Sequence, residues 1–147
     1  MFKHILLPVD GSEAGRAALE AGLRLARDCG ARVTALHVLP DFHVFTYRPA
    51  MLEETREEFM QDSTEQGALA LAHASEAARE LRVECDTLAL RSDQPHKRIV
   101  EAARERGCDL IAMASHGHLG LTGVLLGSVT HKVLVHSGVP VLVLRGA

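Results

Sequence analysis

Ile5-Leu6-Leu7-Pro8-Val9-Asp10-Gly11-Ser12 is the stretch on which the fold turns. Its apolar residues run without a polar break, the pattern of a strand covered on both faces rather than one half-open to water. Asp10, Gly11 and Ser12 end the run and offer caps to a helix. From Ser12 to Cys29, Leu19, Gly22, Leu23 and Ala26 recur at helical spacing, and Gly30 follows as a stop. Gly15 and Gly22 fall on one face of that helix and allow it to approach a sheet closely. Arg32 to Leu39, with Val33, Ala35, Leu36 and Val38, reads as a second strand.

The alternation continues outward. Asp41 to Pro49 is an irregular connection, and Met51 to Leu81 has helical composition. Ser63 followed by Gln66 matches a capping box and predicts a restart of that helix near Asp62-Ser63-Thr64. Val83 to Leu90 is a third strand of mixed polarity, suited to an edge. Asp93 to Arg106 is a helix that tolerates Pro95 in its first turn and ends at Gly107. Cys108 to Ser115 is a fourth strand. Ser128 to Ser137 is a helix that Gly138 stops. Val139 to Leu144 is a last strand, placed at an edge by Pro140. Strands alternating with helices imply right-handed βαβ units and an open parallel sheet.

The bulk properties narrow the function classes. A chain of 147 residues, 47% hydrophobic, suits one globular domain over residues 1–147. Net charge is −3 with a pI near 6.3, and no basic run occurs, so nucleic acid is disfavoured as a partner. No apolar stretch approaches the roughly 20 residues that span a bilayer, so no membrane role is expected. The run at Ile5 is too short for a signal peptide. Cys29, Cys85 and Cys108 show no CxxC spacing and fit a reducing cytoplasm.

Open α/β sheets bind ligands at the carboxyl ends of strands, where the strand order reverses. Asp10 ends the first strand, His37-Val38 lies near the end of the second, and Met113 to Gly117 ends the fourth. These converge with the glycine-spaced stretch Ala114-Ser115-His116-Gly117-His118-Leu119-Gly120-Leu121-Thr122-Gly123-Val124-Leu125-Leu126-Gly127-Ser128. It is not a Walker A loop, because no GK[ST] follows, and its glycines do not follow GxGxxG. The spacing leaves two readings open: an anion cradle of backbone N–H groups, or a flexible turn in which Gly127-Ser128 is an ordinary cap.

Ala114-x2-Gly117-x9-Gly127-Ser128 resembles the Gly-x2-Gly-x9-Gly-[Ser/Thr] pattern of nucleotide-binding universal stress proteins. Leu125-Leu126-Gly127-Ser128-Val129-Thr130, the Pro8-Val9-Asp10 opening and the closing Val139-Pro140-Val141-Leu142-Val143 are also similar to that family. The resemblance covers nearly the whole chain. The expected fold is an open, doubly wound, five-stranded parallel sheet of order 3-2-1-4-5 with helices on both faces.

The resemblance also implies site roles. Asp10, after Pro8 and Val9, would sit at the ribose of an adenine nucleotide. Val38 would present backbone to the adenine, and Met113 and Ala114 would line base and ribose. Gly117, Gly127, Ser128, Val129 and Thr130 would surround the phosphates of ATP, which would carry Mg²⁺. Two departures stand out. Ala114 replaces the first glycine and puts a methyl at the crevice. His118 stands where relatives often carry Arg or Lys, so the loop's pull on phosphate should weaken above about pH 6.5. A homodimer through strand 139–144 is implied as well, consistent with an apolar edge that tends to pair.

Other residues have plainer readings. The chain has nine histidines, but His131 and His136 do not share a helix face and no Cys or carboxylate completes a ligand set. His37 reads as a satisfied core or pocket-edge residue. Glu53-Glu54 and Glu57-Glu58 read as a solvated helix face. Phe42-His43-Val44-Phe45-Thr46-Tyr47-Arg48 holds three of the five aromatics and suits either packing on the next helix or a flap beside Val38. No GxSxG elbow or Ser-His-Asp signature is present, so at most slow ATP hydrolysis is expected. With the family resemblance, the sequence reads as an ATP-binding stress sensor or adaptor. The alternatives are a slow ATPase or phosphotransfer protein, and a nucleotide-free dimeric interaction module.

Overall fold

A computed structural model describes residues 1–41, 49–116 and 126–145, with the side chains of 49–55 excepted. In chain order it comprises β1 (His4–Pro8), α1 (Glu13–Cys29), β2 (Arg32–Leu39), α2 (Pro49–Glu80), β3 (Cys85–Arg91), α3 (Pro95–Glu105), β4 (Leu110–Ala114), α4 (Ser128–His136) and β5 (Val141–Leu144). The strands form one sheet of order β3-β2-β1-β4-β5, every neighbouring pair parallel. The predicted order and class are therefore observed.

Two apolar layers cover the sheet. Ile5, Leu7 and Val9 of β1 and its carboxyl end pack with Leu19 and Leu23 of α1 and Ala74 of α2. Leu6 points the other way, toward Ile99 of α3 and Val133 of α4. That alternation explains why the opening run is apolar on both parities. The edge strand β3 is a mixture of half-buried and exposed residues with none fully buried, as its mixed polarity predicted.

The caps follow the local chemistry. Ser12 caps α1 by accepting from Gly15 N–H at 3.0 Å, and Gly30 closes it in the left-handed region at φ 67°. Gly22 lies over β1 so closely that a Cβ there would stand 2.6 Å from Leu7 Cδ2. Pro95 occupies the first turn of α3.

The restart predicted near Ser63 does not occur; α2 runs unbroken from Pro49 to Glu80. The Ser63 and Thr64 hydroxyls donate backward to the Met60 carbonyl, at 3.1 and 2.7 Å, instead of capping a new turn. Arg91, from the end of β3, then donates to both hydroxyls and to the Pro40 carbonyl. Strand ends also shift slightly: β4 is Leu110–Ala114 and β5 begins at Val141, after Pro140.

Candidate functional site

The strand order reverses between β1 and β4, which lie side by side at the sheet centre. A crevice at their carboxyl ends follows from that topology. On the β1 side, Val9 N–H donates to the Leu36 carbonyl at 2.8 Å and Asp10 comes next. Asp10 Oδ1 accepts from Ser12 N–H at 2.9 Å and from the Ser12 hydroxyl at 2.7 Å. The carboxylate thus braces the α1 cap, the plainer of its two sequence readings, from the residue that follows the end of β1. A shallow cleft of about 310 Å³ between α1 and α2 opens beside it, bordered by Asp10, Arg16, Gln66 and His73.

On the β4 side, the chain is stitched to the start of α4. Gly127 N–H donates to the Ser115 carbonyl at 2.7 Å, and the Thr130 hydroxyl donates to the Ala114 carbonyl at 2.8 Å. Ser115 N–H in turn donates to the Leu144 carbonyl at 3.0 Å, and its hydroxyl lies 3.1 Å from His116 Nδ1. Ala114, Gly127, Ser128, Val129 and Thr130 are therefore brought together at one place.

Their roles sort by burial. Ser128 was expected to cap α4, but it is the first helical residue and the cap is Gly127, which offers no side-chain acceptor. Ser128 is exposed, and among the described residues no side chain caps the first turn of α4, an arrangement suited to an anion. Thr130 is only 3% exposed and its hydroxyl is spent on Ala114, so it positions the loop end rather than facing a phosphate. Val129 packs half-buried against the α3/α4 core. Met113 is buried in that same core. Ala114, Pro8 and Val38 are half-buried at their strand ends. Gly117, His118 and the aromatic segment 42–48 lie outside the described residues.

Two hydrogen-bond partners at these strand ends were not legible in the sequence. Ser115 lies at the end of β4 and accepts the cap of α4; its only sequence signal is its place between the strand and the glycines. His37, read as a satisfied core or pocket-edge residue, is buried, with Nδ1 2.8 Å from the Val9 carbonyl. The sequence did not show that this bond reaches the end of β1, one residue from Asp10.

At the opposite end of the sheet, Thr34 donates to Asp86 Oδ1 at 2.9 Å and so accepts from His4 Nε2 at 2.8 Å. Burial, and then the charge of Arg32, hold the His4 imidazole below its ordinary pKa. Cys108 is buried there too, and burial pushes its thiol up to about 11. The three cysteines are free thiols. Among the described residues no group of three or more His, Cys, Asp or Glu is placed to hold a metal ion. No described helix is long and apolar enough to cross a membrane.

Comparison with known proteins identifies the lineage. The sequence profile of the universal stress protein family matches residues 1–145. Universal stress protein YxiE of Bacillus subtilis is 34% identical over 152 residues, covering 99% of this chain and 100% of that one. The solved structure of MJ0577, a universal stress protein of Methanocaldococcus jannaschii, superposes with a TM-score of 0.82 at 30% identity, over 100% of this chain and 98% of that one. The same fold recurs at 20% and 21% identity in a universal stress protein in complex with cAMP (TM-score 0.69) and in one from Archaeoglobus fulgidus in complex with dAMP (TM-score 0.67). These cover 99% and 97% of this chain and 98% of each of those chains. The chain belongs to the universal stress protein family.

Proposed function

We propose that this protein binds an adenine nucleotide, ATP with Mg²⁺ on its phosphates, in the crevice between β1 and β4. It would act in the cytoplasm as a nucleotide-dependent sensor or adaptor of the stress response. The observation that carries this is the start of α4: a helix with a glycine cap, stitched to the end of β4, the strand that pairs with β1, which Asp10 follows. Backbone N–H groups and the helix dipole favour phosphate there, while a carboxylate suits ribose hydroxyls. The residues fit the group. Ser128 and the first-turn N–H groups would hold phosphate oxygens, and Val38 would offer backbone to the base. Bound Mg²⁺ would neutralise phosphate charge. Relatives of this fold in complex with cAMP and dAMP support an adenine ligand.

Calorimetric titration with Mg-ATP tests the reading. No heat and no thermal shift at millimolar nucleotide would overturn it. Turnover of labelled ATP, lost in Ser128→Ala or Asp10→Ala, would favour the slow ATPase.

The protein would also pair with a second copy through β5. That strand ends the sheet with its outer edge open among the described residues, and Leu142, 37% exposed, stands on it. Leu134 and Val135 of α4 are exposed nearby in sequence. Leu142→Lys should yield monomers by light scattering. It is the cleaner probe than Val141, which packs into the α3/α4 core. An intact dimer in Leu142→Lys would refute pairing through this edge.

A further inference from the structure

The β1–β2 ladder stops where the crevice begins, and one side chain marks the stop. β1 and β2 pair as far as Pro8 opposite Leu36, extended by Val9 N–H to the Leu36 carbonyl. In a regular parallel ladder, the Val9 carbonyl would next accept from Val38 N–H. Val38 N–H does point toward β1. Val33 N–H donates toward β3, to the Glu84 carbonyl, so 34, 36 and 38 face the other way. Yet the hydrogen bond on the Val9 carbonyl comes from His37 Nδ1 at 2.8 Å. A carbonyl only accepts, so Nδ1 carries the proton and Nε2 faces away from it.

The ring has little freedom to leave. His37 is 9% exposed. Helix α2 crosses it at Gly67, where an added Cβ would stand 2.8 Å from His37 Cδ2 and 3.3 Å from Nε2. Meanwhile β2 continues along β3, through His37 opposite Ala89, Val38 opposite Leu90 and Leu39 opposite Arg91. β2 is thus held by β3 while β1 turns off toward Asp10.

We infer that His37 is a positioning residue of the nucleotide crevice: its ring takes the Val9 carbonyl in place of Val38 N–H, holding the strand ends apart and leaving the Val38 backbone open to the base. This rests on the nucleotide reading above. It assigns Gly67 a purpose as well, because only a residue without Cβ lets α2 pass over the seated ring.

Residue-resolved amide exchange on the nucleotide-free protein, paired with Mg-ATP titration, tests this. His37→Leu removes the donor, and Val38 N–H should close onto Val9, slowing its exchange about tenfold and weakening ATP about tenfold. His37→Asn places an amide N–H near the position of Nδ1 and should restore both toward wild type. Gly67→Ala displaces the ring without removing it and should shift both in the direction of His37→Leu; it also serves if His37→Leu fails to fold. Unchanged Val38 exchange in both His37→Leu and Gly67→Ala would overturn the inference. So would His37→Asn behaving as His37→Leu. If wild type binds ATP and His37→Leu binds it equally well, His37 has no role at the site although the crevice stands. If wild type binds no ATP, the nucleotide reading itself fails.

Discussion

The Thr130 hydroxyl donates to the Ala114 carbonyl at 2.8 Å, fastening the first turn of α4 to the last residue of β4. Both partners stand at the crevice, and Thr130 is almost wholly buried. Thr130→Val keeps the shape and removes the donor, leaving a carbonyl unpaired. The expected cost is about 1–3 kcal/mol of stability. Thr130→Ser should recover most of it. Urea unfolding midpoints measure both, and equal midpoints for wild type and Thr130→Val would show that the bond does not hold α4.

Gly15 and Gly22 sit on one face of α1 but guard different things. A Cβ at Gly22 would meet Leu7 Cδ2 at 2.6 Å, whereas one at Gly15 would meet Asp10 Oδ1 at 2.6 Å. Gly22→Ala should therefore overpack the core and cost about 1–3 kcal/mol. Gly15→Ala gains helix propensity of up to about 1 kcal/mol, so its stability should change little. Its effect should fall on Asp10 instead, weakening Mg-ATP several-fold by calorimetry. The reverse pattern, affinity lost in Gly22→Ala and stability lost in Gly15→Ala, would contradict this division.

These positions show what the sequence made legible. The two-sided apolar run at Ile5-Leu6-Leu7 announces a central strand because both its faces are covered, by α1 and α2 on one side and α3 and α4 on the other. The glycine pair on α1 announced a close approach to the sheet; Gly22 makes it, against Leu7 of β1, whereas Gly15 abuts the Asp10 and Ser12 side chains of the preceding turn. The break at Ser63 was misread because its hydroxyl bonds within its own turn and is then engaged by Arg91, distant in sequence and near only in the fold. The start of α4 was legible at Gly127-Ser128, but both residues suit a cap, and only backbone angles assign it to Gly127. His37 announced itself as a core histidine, but its acceptor depends on how far β1 and β2 pair.

The buried His4 gives folding a pH dependence of known sign. Burial and Arg32 hold its folded pKa below the ordinary 6.5. As pH falls through 6.5, the unfolded chain takes up a proton that the folded protein does not, so stability falls from there down to the folded pKa. Asp109 acts in a lower window. Burial opposes its ionisation, but the Lys3 and His4 N–H groups donate to its carboxylate and hold it below 3.8; its contribution is lost only as pH drops below that value. Urea midpoints at about pH 7.5 and about pH 5 should differ in wild type and differ less in His4→Gln, which keeps a donor for Thr34 and does not titrate. Equal pH dependence in the two proteins would remove His4 as the source.

Ala114 stands in place of the first glycine of the pattern that the loop resembles, and His118 stands where that family often carries Arg or Lys; the two predict differently pH-dependent controls on one affinity. Ala114 is the last residue of β4, half-buried, with its carbonyl already held by Thr130. Its methyl adds bulk at the crevice without adding a bond, so Ala114→Gly should tighten Mg-ATP by a small factor and do so equally at all pH values. His118 supplies positive charge only when protonated. Arg keeps its charge at both pH values, so His118→Arg should tighten binding more at about pH 8 than at about pH 6, where a free imidazole shares that charge. Titrations of both variants at about pH 6 and about pH 8 separate the effects. A gain in His118→Arg that is as large at the lower pH as at the higher would mean that the residue acts on the ligand through something other than charge.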